Sequence, residues 1–269
     1  MPMASGMLES SQDWLQELPT AEPVFVWSPV EGCGTELMQA LLRSSREVYC
    51  AKPDPFLLHD LPRAMRVRAR DAGLGLEGGP DPALGPEPRV PSAELYSTAL
   101  IRGFAHLCGA YAESARRAGF RRWGTGLPVF PSQEAAVVRG LLPRSKHVLI
   151  LRHLEDAIRS WHGAHDAETD LRATALEWAD GVVRALELSG QPSVLVVRFE
   201  DLVVEPDREV PRLCEFLRIA SVDLGLIDDI RHGAPEAFRH ELTADQRELL
   251  GRVAKPALEL AGYDAPHEI

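Results

Sequence analysis

Residues 23–42 read PVFVWSPVEGCGTELMQALL, an apolar strand that runs into a glycine loop opening directly onto a helix. The strand residues, 24–27, are all β-branched or aromatic, which is typical of a short buried strand. Gly32 and Gly34 permit a tight turn, and the apolar residues that follow recur at helical spacing. Such a junction directs unpaired backbone N–H groups and the positive end of a helix at one point. The stretch predicts an anion site, although such glycines also serve ordinary strand-to-helix turns.

The end of this loop argues against a nucleoside triphosphatase. The phosphate loop of those enzymes closes with Gly-Lys-Ser/Thr, in which the lysine reaches the outer phosphates and the hydroxyl holds magnesium. Gly34, Thr35 and Glu36 stand in that place here. Because the lysine is absent and a carboxylate would face the phosphates, we do not expect ATPase or GTPase activity.

Length and charge limit the class of protein. The 269 residues are 45% hydrophobic, and we expect one domain over residues 1–269. The net charge of −11 argues against a general binder of nucleic acid or of a membrane surface, because both need a basic face. The four cysteines are widely spread, which is typical of reduced thiols in a cytoplasmic protein without a metal site. The sequence shows neither an export signal nor an apolar stretch long enough for a membrane span.

Apolar runs alternate with helical patterns along the rest of the chain. A second strand begins within residues 46–61, and the runs at residues 146–151 and 194–197 are typical of central parallel strands. Helical spacing covers residues 92–118, 131–142 and 170–189. Strands alternating with helices predict an α/β fold with a central parallel sheet flanked by helices. Residues 71–91 are dense in glycine and proline, and we expect a flexible loop or lid there.

Polar residues follow the predicted central strands at their carboxyl ends, where ligands bind in parallel sheets. Arg152 directly follows the strand at residues 146–151, and Ser160 lies eight residues later on the next helix. A guanidinium beside a hydroxyl can hold a phosphate. The alternative is that Arg152 forms an ion pair with Glu155 or Asp156.

The order of these segments resembles the sulfotransferases that use 3′-phosphoadenosine 5′-phosphosulfate (PAPS). GCGTELM at residues 32–38 is similar to that family's loop, Arg/Lys-Ser-Gly-Thr-Thr-Leu-Leu, and LRHLEDAIRS at residues 151–160 to its arginine with a serine eight residues on. VVRFEDLVVEPDREVPRLCEFL at residues 196–217 looks like its Arg-Tyr-Glu-Asp-Leu segment and following helix. RHGAPEAFRHELTADQRELL at residues 231–250 is similar to its Arg-X-Gly segment and closing helix. The resemblance covers residues 24–264 outside the Gly/Pro insertion and implies a three-layer, P-loop-like fold.

The resemblance also implies where the nucleotide would bind. The loop would hold the 5′-phosphate on its backbone amides, at Gly32, Cys33, Gly34, Thr35 and Glu36. The 3′-phosphate would lie against Arg152 and Ser160. Three residues would close over the nucleotide, namely Arg231, His232 and Gly233. Trp27 or Phe238 would pack on the adenine or belong to the core, and Glu200 would brace the loop or the sheet.

The implied reaction transfers a sulfuryl group to a hydroxyl or amine of a small molecule, such as a natural product or a carbohydrate. The products would be the sulfated acceptor and adenosine 3′,5′-bisphosphate (PAP), and no metal is required. A base would accept the acceptor's proton. The candidates are Asp54, His59 and His106, of which Asp54 ranks first, and each is otherwise a surface or helix-capping residue. A homo-oligomer is compatible with the sequence, which does not specify one.

This chain departs from the family's pattern at the positions that would contact the transferring group. The cation that opens the family's loop is replaced by Gly32, the second hydroxyl of its Thr-Thr pair by Glu36, and a later lysine by Gly126. Removing one such group typically costs about 10² to 10³ in rate. The cations that could replace them are Lys52, Arg121 and Arg122.

These departures leave three hypotheses open. The first is an active sulfotransferase that acts on a small molecule. The second is a member of the fold that binds the bisphosphorylated nucleotide and transfers nothing. The third is an enzyme that catalyses another reaction in the same pocket, using Glu36, Asp54 or a histidine.

Overall fold

The computed structural model describes residues 16–52, 56–73, 93–127, 132–162, 170–232 and 242–263. Within these residues one sheet contains five strands, β1 Val24–Trp27, β2 Val48–Cys50, β3 Arg122–Leu127, β4 Lys146–Leu151 and β5 Val194–Arg198. All neighbouring strands are parallel, in the order β2-β3-β1-β4-β5. Parallel neighbours require crossover connections, and helices provide them. The predicted α/β fold with a central parallel sheet is confirmed.

The helices of the described ranges are α1 Thr35–Ser44, α2 Leu61–Gly73, α3 Ala93–Arg117, α4 Ser132–Leu141, α5 Leu154–His162, α6 Leu171–Leu188, α7 Phe199–Val204, α8 Pro206–Leu217, α9 Gly225–His232 and α10 Ala244–Leu260. α3, α4 and α6 confirm the helices predicted at residues 92–118, 131–142 and 170–189, to within one residue at each end. A wider helical turn, Phe56–Asp60, precedes α2. None of the helices in the described ranges is long and apolar enough to cross a membrane.

The predicted Gly/Pro-rich loop begins later than residue 71. Residues 71–73, Asp-Ala-Gly, complete α2 because aspartate and alanine continue the helical backbone of the preceding turns. Residues 74–91 lie outside the described residues. The expectation of a lid therefore concerns residues 74–91 only and stays a prediction.

β3 is the strand that the sequence does not reveal. It reads RWGTGL and lies between β2 and β1. A Cβ at Gly124 would overlap the carbonyl oxygen of Val24, and a Cβ at Gly126 would lie 2.5 Å from Gln39 Nε2 and 2.9 Å from the carbonyl oxygen of Val26. The glycines are thus needed for close approach of neighbouring backbone, which is a common reason for glycine inside a strand. They also remove the side chains from which a strand is normally recognised.

Apolar side chains bury both faces of the sheet. In β1, Phe25 and Trp27 point into one core, and Val24 and Val26 point into the other. The first core is completed by α3, α6 and α10, through residues such as Phe104, Trp178 and Leu250. The second is completed by α1 and α8, through residues such as Met38, Leu41, Leu213 and Leu217. The molecule therefore has the three layers that the resemblance implies.

His147 of β4 is held in the neutral state inside the first core. Trp27 Nε1 donates to His147 Nδ1 at 3.0 Å, so the ring proton lies on Nε2, which is 2.9 Å from Ser145 Oγ. Burial, with a smaller effect of Arg139, lowers the pKa of His147 from 6.5 to about 3. The imidazole is stacked on the Trp27 indole and belongs to the core, where it has no role in acid–base chemistry near neutral pH.

We expect His147 to make the fold sensitive to acid. Its pKa is lower in the folded chain than in the unfolded chain, so the unfolded chain binds the proton first, and stability falls as the pH drops below 6.5 towards 3. Between pH 7 and pH 5 this group should remove about 2 kcal/mol from the free energy of unfolding. Urea titrations of wild type and His147→Asn at both pH values measure the effect. An equal loss in both proteins would contradict it.

Candidate functional site

The candidate site lies where the carboxyl ends of β1, β4 and β5 meet. β1 and β4 are neighbours, with Trp27 in register with Leu149, so the loop after β1 faces the residues that follow β4. β5 pairs with β4 on its other side, and Phe199 directly follows it. The order of the strands therefore brings the glycine loop, Arg152 and Phe199 to one edge of the sheet.

Both glycines of the loop are required by its conformation and by its surroundings. Gly32 has φ +81° and Gly34 has φ +97°, which are backbone conformations that favour glycine. A Cβ on Gly32 would overlap the carbonyl oxygen of Ala157 in α5, and a Cβ on Gly34 would overlap the ring of Phe199. The loop therefore packs against α5 on one side and against the end of β5 on the other.

α1 begins at this loop with unpaired backbone donors. Gly34 precedes the helix, and no side chain caps it. The Thr35 hydroxyl donates instead to Ser28 Oγ at 2.9 Å, and Ser28 Oγ donates to the carbonyl oxygen of Val30 at 2.9 Å. The backbone N–H groups of residues 35–37 meet no acceptor in the described part of the chain. Together with the positive end of the helix dipole, these donors suit an anion.

Cys33 and Glu36 contribute to the loop in different ways. The Cys33 thiol is completely buried, and burial raises its pKa to about 12, so it stays protonated near neutral pH. Its part in an anion site is therefore limited to its backbone. Glu36 lies in the first turn of α1 with its side chain exposed. Exposure to water screens the repulsion between this carboxylate and an anion on the loop.

Arg152 contacts the loop directly. Its Nη1 donates to the carbonyl oxygen of Gly32 at 2.9 Å, and its guanidinium carbon lies 4.3 Å from the centre of the Phe199 ring. Its backbone oxygen accepts from Trp178 Nε1 at 3.0 Å, which fixes the end of β4 against α6. The alternative in which Arg152 pairs with Glu155 or Asp156 is wrong.

Those two carboxylates are paired with a different arginine on the same helix. Arg159 lies 3.5 Å from Glu155 and 3.4 Å from Asp156. Ser160, the next residue along, is half-buried on α5, and no described group is hydrogen-bonded to its hydroxyl. Glu155 and Asp156 are therefore paired with Arg159, and the described contacts of the Arg152 guanidinium are the loop and Phe199.

Glu200 braces this edge of the sheet, as the resemblance implies. Glu200 Oε1 accepts from the backbone N–H of His153 at 2.8 Å, and Oε2 accepts from the Tyr263 hydroxyl at 3.0 Å. Arg198 lies over the same tyrosine ring, at 4.2 Å from its centre. Burial, followed by the charge of Glu200, raises the pKa of Tyr263. One carboxylate thus joins the residue after Arg152 to the residues after α10.

The sequence gives no reason to assign Tyr263 or Trp178 to this edge. Each is far along the chain from its partner, and each reads as an ordinary core aromatic. The sequence indicates only that a buried Trp N–H or Tyr O–H group normally has a hydrogen-bond partner. Which partner they find is decided by the tertiary fold.

The three candidate bases are placed differently. Asp54 lies outside the described residues. His59 is in the turn Phe56–Asp60, with a side chain 36% exposed and Nδ1 2.9 Å from Asp60 Oδ1. His106 is exposed along α3. Of the two candidate bases that the structure describes, His59 is the one whose ring is oriented by an acidic side chain.

The candidates for the nucleotide's other contacts fall partly outside the described residues. Arg231 and His232 end α9, and their side chains are among the residues not described, as are Gly233 and Phe238. Trp27 is completely buried and hydrogen-bonded to His147, so it is a core residue and does not pack on a ligand at the edge.

The positions that lack the family's cations have no room for a lysine. At Gly32 the obstacle is the α5 backbone, and at Gly126 it is Gln39 and the β1 backbone. Arg121 precedes β3 and Arg122 begins it. Both therefore lie at the amino ends of the parallel strands, on the side of the sheet opposite to the candidate site. Lys52 follows β2 at the correct edge, and its carbonyl oxygen accepts from Thr125 Oγ1 at 2.8 Å.

Comparison with known proteins agrees with this arrangement. A family model described as "Sulfotransferase family" matches residues 23–223. The sulfotransferase domain of the Synechococcus PCC 7002 olefin synthase is 20% identical, covering 91% of this chain and 97% of that one, with a TM-score of 0.54. A sulfotransferase from Alicyclobacillus acidocaldarius is 20% identical over 91% of this chain and 97% of that one, with a TM-score of 0.53. Retinol dehydratase, in a complex with retinol and PAP, is 14% identical, covering 97% of this chain and 88% of that one, with a TM-score of 0.51. No curated protein sequence matches the chain.

Proposed function

The chain belongs to the sulfotransferase family, and on that premise we propose that it transfers a sulfuryl group from PAPS to a hydroxyl or amine of a small molecule. One observation carries this proposal, which is the set of unpaired N–H groups at the start of α1 beside the guanidinium of Arg152. Backbone donors and an arginine fork together suit an anion with more than one phosphate. A structurally similar protein, retinol dehydratase, has been solved with PAP bound.

Each part of the donor has a proposed place. The backbone of residues 33–36 would hold the 5′-phosphate, and Arg152 with Ser160 would hold the 3′-phosphate. Arg231, His232 and Gly233 would close over the nucleotide. The described groups fit a nucleotide because the N–H groups of residues 35–37 and the remaining donors of Arg152 lie at the carboxyl ends of β1 and β4 and have no acceptor in the described ranges.

The proposed reaction is an in-line displacement at sulfur. The acceptor oxygen or nitrogen forms a bond to sulfur while the bond from sulfur to the 5′-phosphate oxygen breaks, and PAP leaves with that electron pair. Catalysis of this type depends on positioning and on stabilising charge at the leaving oxygen. The loop N–H groups would supply the second effect without a metal ion.

The acceptor's proton would pass to Asp54, His59 or His106, with Asp54 ranked first. The hydrogen bond between His59 and Asp60 is an argument for His59. The Asp60 carboxylate accepts from His59 Nδ1, so the ring proton lies on Nδ1, and the lone pair of Nε2 can take up the acceptor's proton. We expect substitution of the true base by asparagine to lower kcat by about 10² or more and to leave PAP affinity unchanged. Turnover of PAPS by the three single variants, with calorimetry of PAP, identifies it. Full activity in all three would remove these candidates.

A second candidate function is nucleotide binding without transfer. The observation in its favour is that Gly32 and Gly126 leave no space for the family's lysines. The two functions are separated by incubating the protein with PAPS and a panel of phenolic and sugar alcohols, followed by mass spectrometry of the acceptors. Sulfated product together with PAP supports transfer, and PAP binding without product supports the second function. Absence of PAP binding at millimolar ligand would overturn both and favour a different reaction.

A further inference from the structure

The feature that carries a further inference is the contact between Arg152 and the loop. We infer that Arg152 supplies the positive charge of both phosphate subsites, the 5′ subsite on the loop as well as the 3′ subsite. The inference rests on the proposed function, since it concerns the same nucleotide. In this chain one arginine would thus replace a cation that the family places on the loop itself.

The first argument is the position of the guanidinium. Arg152 Nη1 donates a hydrogen bond to the Gly32 carbonyl oxygen at 2.9 Å, so the positively charged guanidinium is in direct contact with the loop. The flat face of the group rests on Phe199, whose ring also lies against Gly34. The remaining N–H donors of the fork meet no acceptor in the described part of the chain. A planar fork fixed at one nitrogen and free at the others can reach two anionic groups at once.

The second argument is that the other cations are badly placed. A side chain at Gly32 would overlap the α5 backbone, so the position that opens the loop cannot carry a cation. Lys52 follows β2, which is separated from β1 by β3, and two strand spacings amount to about 10 Å. Arg159 is engaged by Glu155 and Asp156. Among the described side chains, Arg152 is therefore the cation in contact with the loop.

The experiment compares three nucleotides in calorimetry or competition, namely PAP, adenosine 3′-phosphate and adenosine 5′-phosphate. The ratio of the Kd of adenosine 3′-phosphate to that of PAP measures the contribution of the 5′-phosphate. The corresponding ratio for adenosine 5′-phosphate measures the contribution of the 3′-phosphate. We expect Arg152→Ala to reduce both ratios by about tenfold or more, because each would lose a charge-assisted hydrogen bond.

Three further variants make the result decisive. Arg152→Lys keeps the charge without the fork, and we expect a smaller fall in both ratios. Arg121→Ala makes the same change of net charge at the opposite edge of the sheet, where the side chain is 82% exposed, and should leave both ratios unchanged. Lys52→Ala tests the competing cation and should leave the 5′ ratio unchanged.

The inference and the proposed function fail in different ways. If Arg152→Ala and Arg152→Lys lower only the 3′ ratio, or if Lys52→Ala lowers the 5′ ratio instead, the inference is overturned while nucleotide binding stands. If folded wild-type protein binds none of the three nucleotides at millimolar concentration, the proposed function is overturned, and the inference with it. A thermal melt of each variant confirms that it is folded.

Discussion

Gly32→Ala is expected to lower the free energy of unfolding by about 3 kcal/mol and to abolish PAP binding. The new Cβ would overlap the carbonyl oxygen of Ala157, which is part of the α5 backbone and cannot rotate away. The left-handed backbone at φ +81° adds a further penalty for any residue with a side chain. The loop must shift to relieve both, and its shift would displace the donors at the start of α1. Urea titration and calorimetry with PAP measure the two effects.

Gly119→Ala is the matched control for this change. Gly119 also has φ +81°, but nothing lies within 4 Å of the position of its Cβ. We expect this variant to lose about 1 kcal/mol, from backbone conformation alone, and to bind PAP normally. Equal losses of stability in the two variants would show that contact with Ala157 is unimportant. Because Gly32→Lys would add the same Cβ, returning the family's cation to this position is not expected to increase activity.

Glu200→Gln is expected to lower the free energy of unfolding by about 2–3 kcal/mol and to weaken PAP binding. The carboxylate accepts two hydrogen bonds, from the His153 backbone and from the Tyr263 hydroxyl. An amide has a single acceptor oxygen, so if that oxygen keeps the bond from the His153 backbone, the NH₂ group faces the Tyr263 hydroxyl, which must then accept and loses the acceptor for its own proton. Since His153 directly follows Arg152, loss of the brace should also loosen the guanidinium at the loop.

Tyr263→Phe separates the two halves of the brace. It removes the bond to Glu200 Oε2 and leaves the bond from the His153 backbone, so we expect a loss of about 1 kcal/mol with little change in PAP affinity. Combined with Glu200→Gln, it should cost less than the sum of the single changes, because both remove the same hydrogen bond. Full additivity would mean that Glu200 and Tyr263 act independently.

The strands that the sequence predicts are those whose own side chains fill the core. β4 reads KHVLIL and β5 reads VLVVR, and runs of this kind can be recognised without knowledge of their neighbours. β3 differs because its role depends on missing side chains. Gly124 and Gly126 are explained only by the backbone of β1 and by Gln39, which lie against them. No pattern within RWGTGL conveys this.

The residues of the candidate site could be predicted from the sequence in part, and the contacts between them could not. Arg152 and the loop glycines could be found from the sequence because they occur at strand ends with characteristic spacing. The hydrogen bond between Arg152 and Gly32 could not, because these residues follow two strands, β4 and β1, whose pairing the sequence leaves open. The exclusion of Arg121 and Arg122 likewise required β3, since its direction places them at the far edge.

The strand order has a consequence for biosynthesis. β1 is the first strand of the sheet to leave the ribosome, yet Val24 pairs with Gly124 on one side and with Lys146 on the other. The nascent chain must therefore carry an apolar, unpaired segment until about 100 further residues have been made. Pairings this distant in sequence form slowly, and exposed apolar strands of incomplete chains are prone to aggregate. The glycine loop follows β1 and packs against Ala157 and Phe199, so its contacts are complete only after those later residues have been made.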